Sequence, residues 1–295
     1  AGNRNLSQIF ISKNYDVLKS FQGLISSEIE AFVKKGLFKK PVRTIGQMSN
    51  TFFSILFLSV VSSISYFFLL VMRRKILIYS VDRVSLLPEG IDERLKPLYR
   101  VLHKCGVAYI EIFHTSTLGD FLKNFLKRRR PALYLEVLEP VISIIHLLVF
   151  SGKSNFSVDS VVLPEELSSE EKRFIYFLID KYVKEALRFP IKIRLLTALF
   201  SLSNVKIFFS IDDPRYYNSL IVACRRNGIV SYAIQHGHFT KYHVGWLKTS
   251  PLKAEKISPD IFFVWNEYWK KELLRLGTYF REDSIVIGAP LSYGN

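Results

Sequence analysis

Between Val205 and Ile234 an apolar run, a helical pattern and a second apolar run follow each other almost without a gap, and few folds accept that succession. Val205 to Ile211 is short and β-rich, the pattern of a strand buried on both faces. Asp212, Asp213 and Pro214 break it, because proline lacks the ladder N–H and aspartate favours the start of a helix. Tyr217 to Asn227 then has helical spacing, with Leu220, Ile221 and Cys224 on one side and Arg225 and Arg226 on another. Gly228 stands where a helix ends, and Ile229 to Ile234 is the next strand. Two consecutive strands joined by one helix predict a βαβ unit and hence a parallel sheet. The stretch continues to Trp246 through Gln235-His236-Gly237-His238, which directly follows the second strand. Polar residues just past the carboxyl ends of parallel strands are where open α/β sheets bind ligands. Asp212 to Tyr217 and Gln235 to His238 are therefore expected to face one crevice.

The rhythm extends in both directions. Lys75 to Val84 reads as a strand, Asp92 to Gly106 as an amphipathic helix, and Val107 to Phe113 as a strand. Leu118 to Arg130 is helical and ends in four basic residues, a solvated helix end or a patch for phosphate or lipid headgroups. Pro131 to Phe150 is apolar but broken by Glu136, Glu139 and Pro140, which suits a buried helix or a strand–helix pair. Val158 to Leu163 is a possible strand, and Ser168 to Glu171 opens a helix reaching Leu187, with a further helix over Ile191 to Leu202. After Trp246 come a loop, the strand Ile261 to Trp265, a helix from Glu267 to Gly277 and a last strand, Ser284 to Ile287. Strands are thus expected near residues 76–81, 107–113, 205–211, 229–234, 261–265 and 284–287.

The amino-terminal part differs in character. Leu6 to Phe38 has helical spacing, interrupted near Gly23, and Lys34, Lys35, Lys39, Lys40 and Arg43 form a basic run. Thr51 to Met72 carries no charge at all and is closed by Arg73, Arg74 and Lys75. Its length satisfies the ~20 residues of a membrane span, but five serines weaken that reading and leave a buried core helix as the alternative. Basic flanks beside an apolar segment suit an anionic cytoplasmic leaflet. Two units are expected: a helical segment over residues 1–74 and an α/β unit over 75–295.

Composition narrows the function classes. Hydrophobic residues make up 49% of the 295, which excludes a disordered chain. The net charge of +15 admits nucleic acid, an anionic membrane surface or phosphorylated substrates. No helix-turn-helix, zinc or RNA-recognition signature accompanies the charge, so nucleic acid is not expected as a partner. The two cysteines, Cys105 and Cys224, lie in apolar helical patterns and read as buried thiols of a reducing compartment. The polar start AGNRN is not a signal peptide.

The segments IVACRRNGIVSYAIQHGHF and SPDIFFVWNEYWKKELLRLGTYFREDSIVIGAP resemble bacterial glycosyltransferases of the two-Rossmann (GT-B) type that build capsule, O-antigen or teichoic-acid-like polymers. In that group a strand ending in Gln-His-Gly lies in the acceptor half. A strand, Trp, helix, Gly, strand and Gly-x-Pro then lead towards the nucleotide-sugar half. The likeness covers about Ile207 to Pro290, and the chain ends where the donor-binding Rossmann domain would begin. The resemblance implies an amino-terminal, acceptor-side half with a Rossmann-like, mostly parallel sheet. It also implies a nucleotide sugar as donor substrate without a further cofactor, a glycan or lipid-linked acceptor, and work at the cytoplasmic face of the membrane. A polyol-phosphate transferase and a non-catalytic membrane-associated module share these features.

The candidate site residues each have a plain structural reading beside the chemical one. His236 suits a general base or a donor to a sugar or phosphate oxygen, or else a strand-end tie to a loop carbonyl. Asp212 and Asp213 offer a base or a carboxylate nucleophile, or merely cap the next helix. Arg215 can bind a phosphate or acidic sugar, or neutralise the pair. Gly237 permits close approach of backbone to a ligand, flanked by Gln235 and His238 as further contacts. Tyr216, Tyr217, Tyr242 and Trp246 present faces on which a sugar ring stacks, although core packing is the default for aromatics. His238 and His243 have no Glu or Cys at zinc spacing, so no metal is expected.

Overall fold

The computed structural model describes residues 25–26, 28–34, 45–71, 75–81, 92–114, 132–150, 161–211, 217–235, 257–276 and 280–288. Helix α1 (Ile45–Val71) leads into strand β1 (Ile76–Val81), α2 (Lys96–Lys104), β2 (Tyr109–His114) and β3 (Ala132–Tyr134). Helices α3 (Leu138–Phe150) and α4 (Ser169–Ser201) precede β4 (Ile207–Ile211), α5 (Tyr217–Arg226) and β5 (Val230–Ile234). Strand β6 (Ile261–Val264), α6 (Glu267–Leu276) and β7 (Ile285–Ile287) complete the described chain. The seven strands form one sheet in the order β3-β2-β1-β4-β5-β6-β7, and every pair is parallel. This is a Rossmann-like α/β fold.

The order dictates where the helices lie. From β1 the chain steps outward to β2 and β3, and from β4 it steps the other way to β7. Right-handed crossovers therefore place the two sets of connections on opposite faces. Leu95, Tyr99 and Leu102 of α2 and the turn before it pack on Ile76, Ile78 and Ile211, forming one face. The other face is the larger core, where α1, α4, α5 and α6 cover Leu77, Tyr79, Ile110, Ile112, Phe208, Ala233, Phe262 and Val264. Alternate strand residues serve alternate faces, so strands with helices on both sides read as continuous apolar runs. On the α2 face Phe209, Tyr232 and Phe263 stack across three strands, with ring centroids 5.0 and 5.9 Å apart.

Helix ends follow local chemistry. Ser168 accepts from the Glu171 N–H while the Glu171 carboxylate accepts from the Ser168 N–H, a reciprocal cap that starts α4. Asn266 Oδ1 accepts from Trp269 N–H at the start of α6. Gly106 and Gly228 end α2 and α5 with φ of 62° and 65°, a left-handed conformation that disfavours any side chain.

The structure corrects several expectations. The two helices expected on either side of Pro190 are one helix, α4. Proline removes the bond to the Ala186 carbonyl, but Phe189, Ile191, Ile193 and Leu196 are buried on both sides of it, and packing carries the helix through. Of the two readings of residues 131–150 the structure takes the strand–helix pair: β3 has three residues and is followed at once by a helical turn and α3. Of the possible strand over Val158 to Leu163, residues 158–160 lie outside the described residues, while 161–163 form no strand and Val162 is 95% exposed. Cys224 is buried but Cys105 is exposed, because it falls just past the end of α2 and outside its inward stripe. The helix expected over residues 118–130 lies outside the described residues, as does the expected break near Gly23.

Helix α1 takes a place that the sequence left open. Strand β3 is the sheet edge, paired only with β2. Its outward N–H groups at Ala132 and Tyr134 donate to Ser65 Oγ (2.9 Å) and Ser62 Oγ (3.0 Å) of α1. Serines that weaken α1 as a lipid span thus close a sheet edge. Tyr66 adds a bond to the Leu199 carbonyl of α4 (2.7 Å). Among the described residues no helix is long and apolar enough to cross a membrane.

Candidate functional site

In a parallel sheet of this order the chain reverses direction between β1 and β4, and ligands bind outside the carboxyl ends of the strands near such a reversal. Strand β4 belongs to that pair and is also the parallel neighbour of β5, with Ile211 opposite Ile234. Asp212 directly follows Ile211 and His236 follows Ile234 by two residues, so connectivity ties both polar segments to one end of the sheet. Asp212, Asp213, Arg215, Tyr216, His236, Gly237, His238, Tyr242 and Trp246 themselves lie outside the described residues. Tyr217 opens α5, and Gln235 is the one candidate whose side chain is described.

Gln235 is buried and holds two strand ends together. Its side-chain oxygen accepts from Trp265 N–H (2.9 Å), and its carbonyl accepts from Trp265 Nε1–H (3.0 Å). Its own N–H donates to the Phe263 carbonyl (2.9 Å). A buried amide placed this way satisfies its polar atoms and ties the end of β5 to the end of β6. Trp265 in turn packs edge-on against Trp269 of α6, with centroids 6.1 Å apart.

The reversal between β1 and β4 brings a further group that sequence reading did not single out. Ser80, near the end of β1, donates to the buried Asp92 carboxylate (2.6 Å). Arg94 grips the same carboxylate with Nε (2.9 Å) and Nη2 (2.7 Å), and its backbone N–H adds a third bond (3.0 Å). On the adjacent strand Ser210 is buried, and its Oγ meets no partner among the described residues. Asp92 and Arg94 are separated by one residue, so the only sequence signal was a charged pair at the start of a helix.

The opposite, amino end of the sheet is tied by a different carboxylate. Asp260 accepts from the Ser231 N–H (2.9 Å) and hydroxyl (2.6 Å), and Arg225 reaches it at 3.3 Å while also donating to the Ser258 carbonyl. Partial burial pushes the Asp260 carboxyl upward, but the Ser231 bonds and the Arg225 charge outweigh it and hold the group below its ordinary range. Beside it, burial first and the Asp260 charge second push the Cys224 thiol well above its ordinary range, so it is inert. Among the described residues no group of His, Cys, Asp or Glu gathers as metal ligands.

The chain matches no protein-family model, no curated protein and no solved structure. The fold therefore defines its class: a Rossmann-like α/β protein whose central strands β4 and β5 are followed in sequence by polar segments.

Proposed function

We propose that this chain is the acceptor-side half of a GT-B-type glycosyltransferase. It moves a sugar from a nucleotide-sugar donor to a growing bacterial surface glycan or lipid-linked acceptor. The observation that carries the reading is the parallel pairing of β4 with β5 next to the chain reversal, with Asp212-Asp213 and Gln235-His236-Gly237 following those two strands. The resemblance over Ile207 to Pro290 supports it.

In this reading one of Asp212, Asp213 and His236 takes the proton of an acceptor hydroxyl. The freed oxygen bonds to the anomeric carbon of the donor sugar, and the bond from that carbon to the nucleoside phosphate breaks, releasing the nucleotide. Arg215 neutralises a phosphate or acidic sugar, and the aromatics Tyr216, Tyr217, Tyr242 and Trp246 offer stacking faces. His238 flanks the acceptor, and Gly237 lets it approach the backbone. No metal enters the proposed step.

The test is turnover of a panel of nucleotide sugars in membranes that supply lipid-linked acceptors. General-base catalysis contributes ~10²–10⁴-fold, so in the complete enzyme, with its donor-binding half, His236→Ala or Asp212→Asn lowers turnover by about that factor without changing the melting temperature. Asp213→Asn tells which carboxylate serves. Full activity in both His236→Ala and the double Asp→Asn variant rejects the assignment. Consumption of a polyol-phosphate donor alone moves the reaction to phosphate transfer.

A further inference from the structure

Asp92 and Arg94 form an ion pair that is sealed on one side and open on the other. The Asp92 side chain is fully buried, whereas that of Arg94 is 22% exposed. Oδ1 of Asp92 accepts from the Arg94 backbone N–H and Nε, and Oδ2 accepts from Ser80 Oγ and Arg94 Nη2. Each oxygen thus takes two bonds, and the carboxylate is spent. The arginine is not. A guanidinium carries five N–H groups, and Nε and Nη2 each give one to Asp92. Three remain, two on Nη1 and one on Nη2, with no partner among the described residues. They form a second planar fork that faces away from the buried carboxylate and reaches solvent.

Starting α2 does not require this arginine. Asp92 alone caps the turn, through its bond from the Arg94 backbone N–H. A cation there opposes the helix dipole, so the guanidinium adds nothing to the helix by its charge. Its position suggests another use. Ser80 is the last residue but one of β1, so the pair lies at the carboxyl end of that strand. Leu95, next to Arg94 in the chain, packs with Ile78 and with Ile211, the last residue of β4. The fork therefore stands at the reversal between β1 and β4, where sheets of this kind take their ligands.

We propose that Arg94, held by Asp92 and Ser80, binds a phosphoryl group of the ligand through this outer fork. Two parallel N–H groups in one plane match two phosphate oxygens, which a lysine cannot do. Asp92 already fixes the side chain, so little rotamer freedom is lost when the anion binds. The net charge of +15 draws anions to the chain, and the fork gives one of them a defined seat. Phosphate binding rests on the end of β1 alone. It holds whether or not the chain transfers a sugar, and neither Asp212 nor His236 takes part in it.

The experiment is calorimetric titration of the full chain with inorganic pyrophosphate. Arg94→Lys keeps the charge but not the fork, and weakens binding at least about tenfold while the melting temperature holds. Arg100 is an exposed residue of the same helix, and Arg100→Lys leaves the affinity unchanged. No binding by wild type, unchanged binding in Arg94→Lys, or an equal loss in both variants overturns the assignment. Competition by uridine diphosphate and by farnesyl diphosphate, each weakened by Arg94→Lys, tells whether the phosphoryl group belongs to a nucleotide or to a lipid carrier. Should Arg94→Lys fail to fold, phenylglyoxal modification of the wild-type chain, read peptide by peptide in a mass spectrometer, decides the matter. Arg94 reacts in the free protein and is protected by pyrophosphate. Absence of reaction at Arg94, or reaction that pyrophosphate does not slow, rejects the site.

Discussion

Replacing Asp260 with alanine probes the amino end of the sheet, where one carboxylate gathers two bonds from Ser231 and one from Arg225. Ser231 is fully buried, so its N–H and hydroxyl lose their acceptor in a place where water does not replace it easily. Leaving buried donors unpaired costs about 1–3 kcal/mol each, and the two donors belong to one residue, so they do not count twice. The Arg225 contact is a third exposed on the carboxylate side and contributes at most about 1 kcal/mol. Arg225 also keeps its bond to the Ser258 carbonyl (2.8 Å). The expected loss is therefore about 2–3 kcal/mol, which in a chain of this size lowers the melting temperature by roughly 3–5 °C. The effect also depends on pH. The folded carboxyl binds its proton less tightly than the unfolded one, so its stabilisation is complete above the ordinary aspartate value of about 3.9 and is lost as pH falls below it. Thermal melts of wild type and Asp260→Ala at pH 7 and at decreasing pH thus converge in acid. Equal melting temperatures at pH 7, or curves that diverge in acid, refute the reasoning.

Three further outcomes follow from single contacts. Ser62→Ala with Ser65→Ala strands the edge N–H groups of β3, costs about 2–4 kcal/mol and promotes aggregation through the opened edge, readable by melting and light scattering. A thiol reagent modifies one cysteine of the native protein, Cys105, and the second only after denaturation; fast reaction of both contradicts the burial of Cys224. Gln235→Ala loses the acceptor for Trp265 N–H and lowers stability by about 1–3 kcal/mol, with a changed tryptophan emission, whereas an unchanged melting temperature makes Gln235 a ligand contact alone.

Much of the fold could be read from residue order because the strands that carry helices on both sides are continuous apolar runs, and because Gly106, Gly228 and the Ser168–Glu171 pair mark helix ends by local chemistry. What stayed hidden depended on distant partners. The apolar stretch 131–150 left a buried helix and a strand–helix pair open, and only the pairing of β3 with β2 on one side and the α1 serines on the other decides for the strand. Pro190 reads as a stop until the burial of its neighbours is known. The same holds for the site. The pairing of Ile211 with Ile234 follows from the predicted βαβ unit, but the strand order places β1, with Ser80 and its partner Asp92, on the far side of β4. Strand order is a global property, and no local pattern reports it.

The central claim is that ligands bind at the carboxyl ends of β4 and β5. Hydrogen exchange of the full chain, with and without a nucleotide sugar that it consumes and an acceptor analogue, measures this directly. The account predicts slowed exchange in peptides spanning residues 210–217 and 234–238, with peptides over 257–260 at the amino end unchanged. Protection confined to the amino end, with none after β4 or β5, contradicts it.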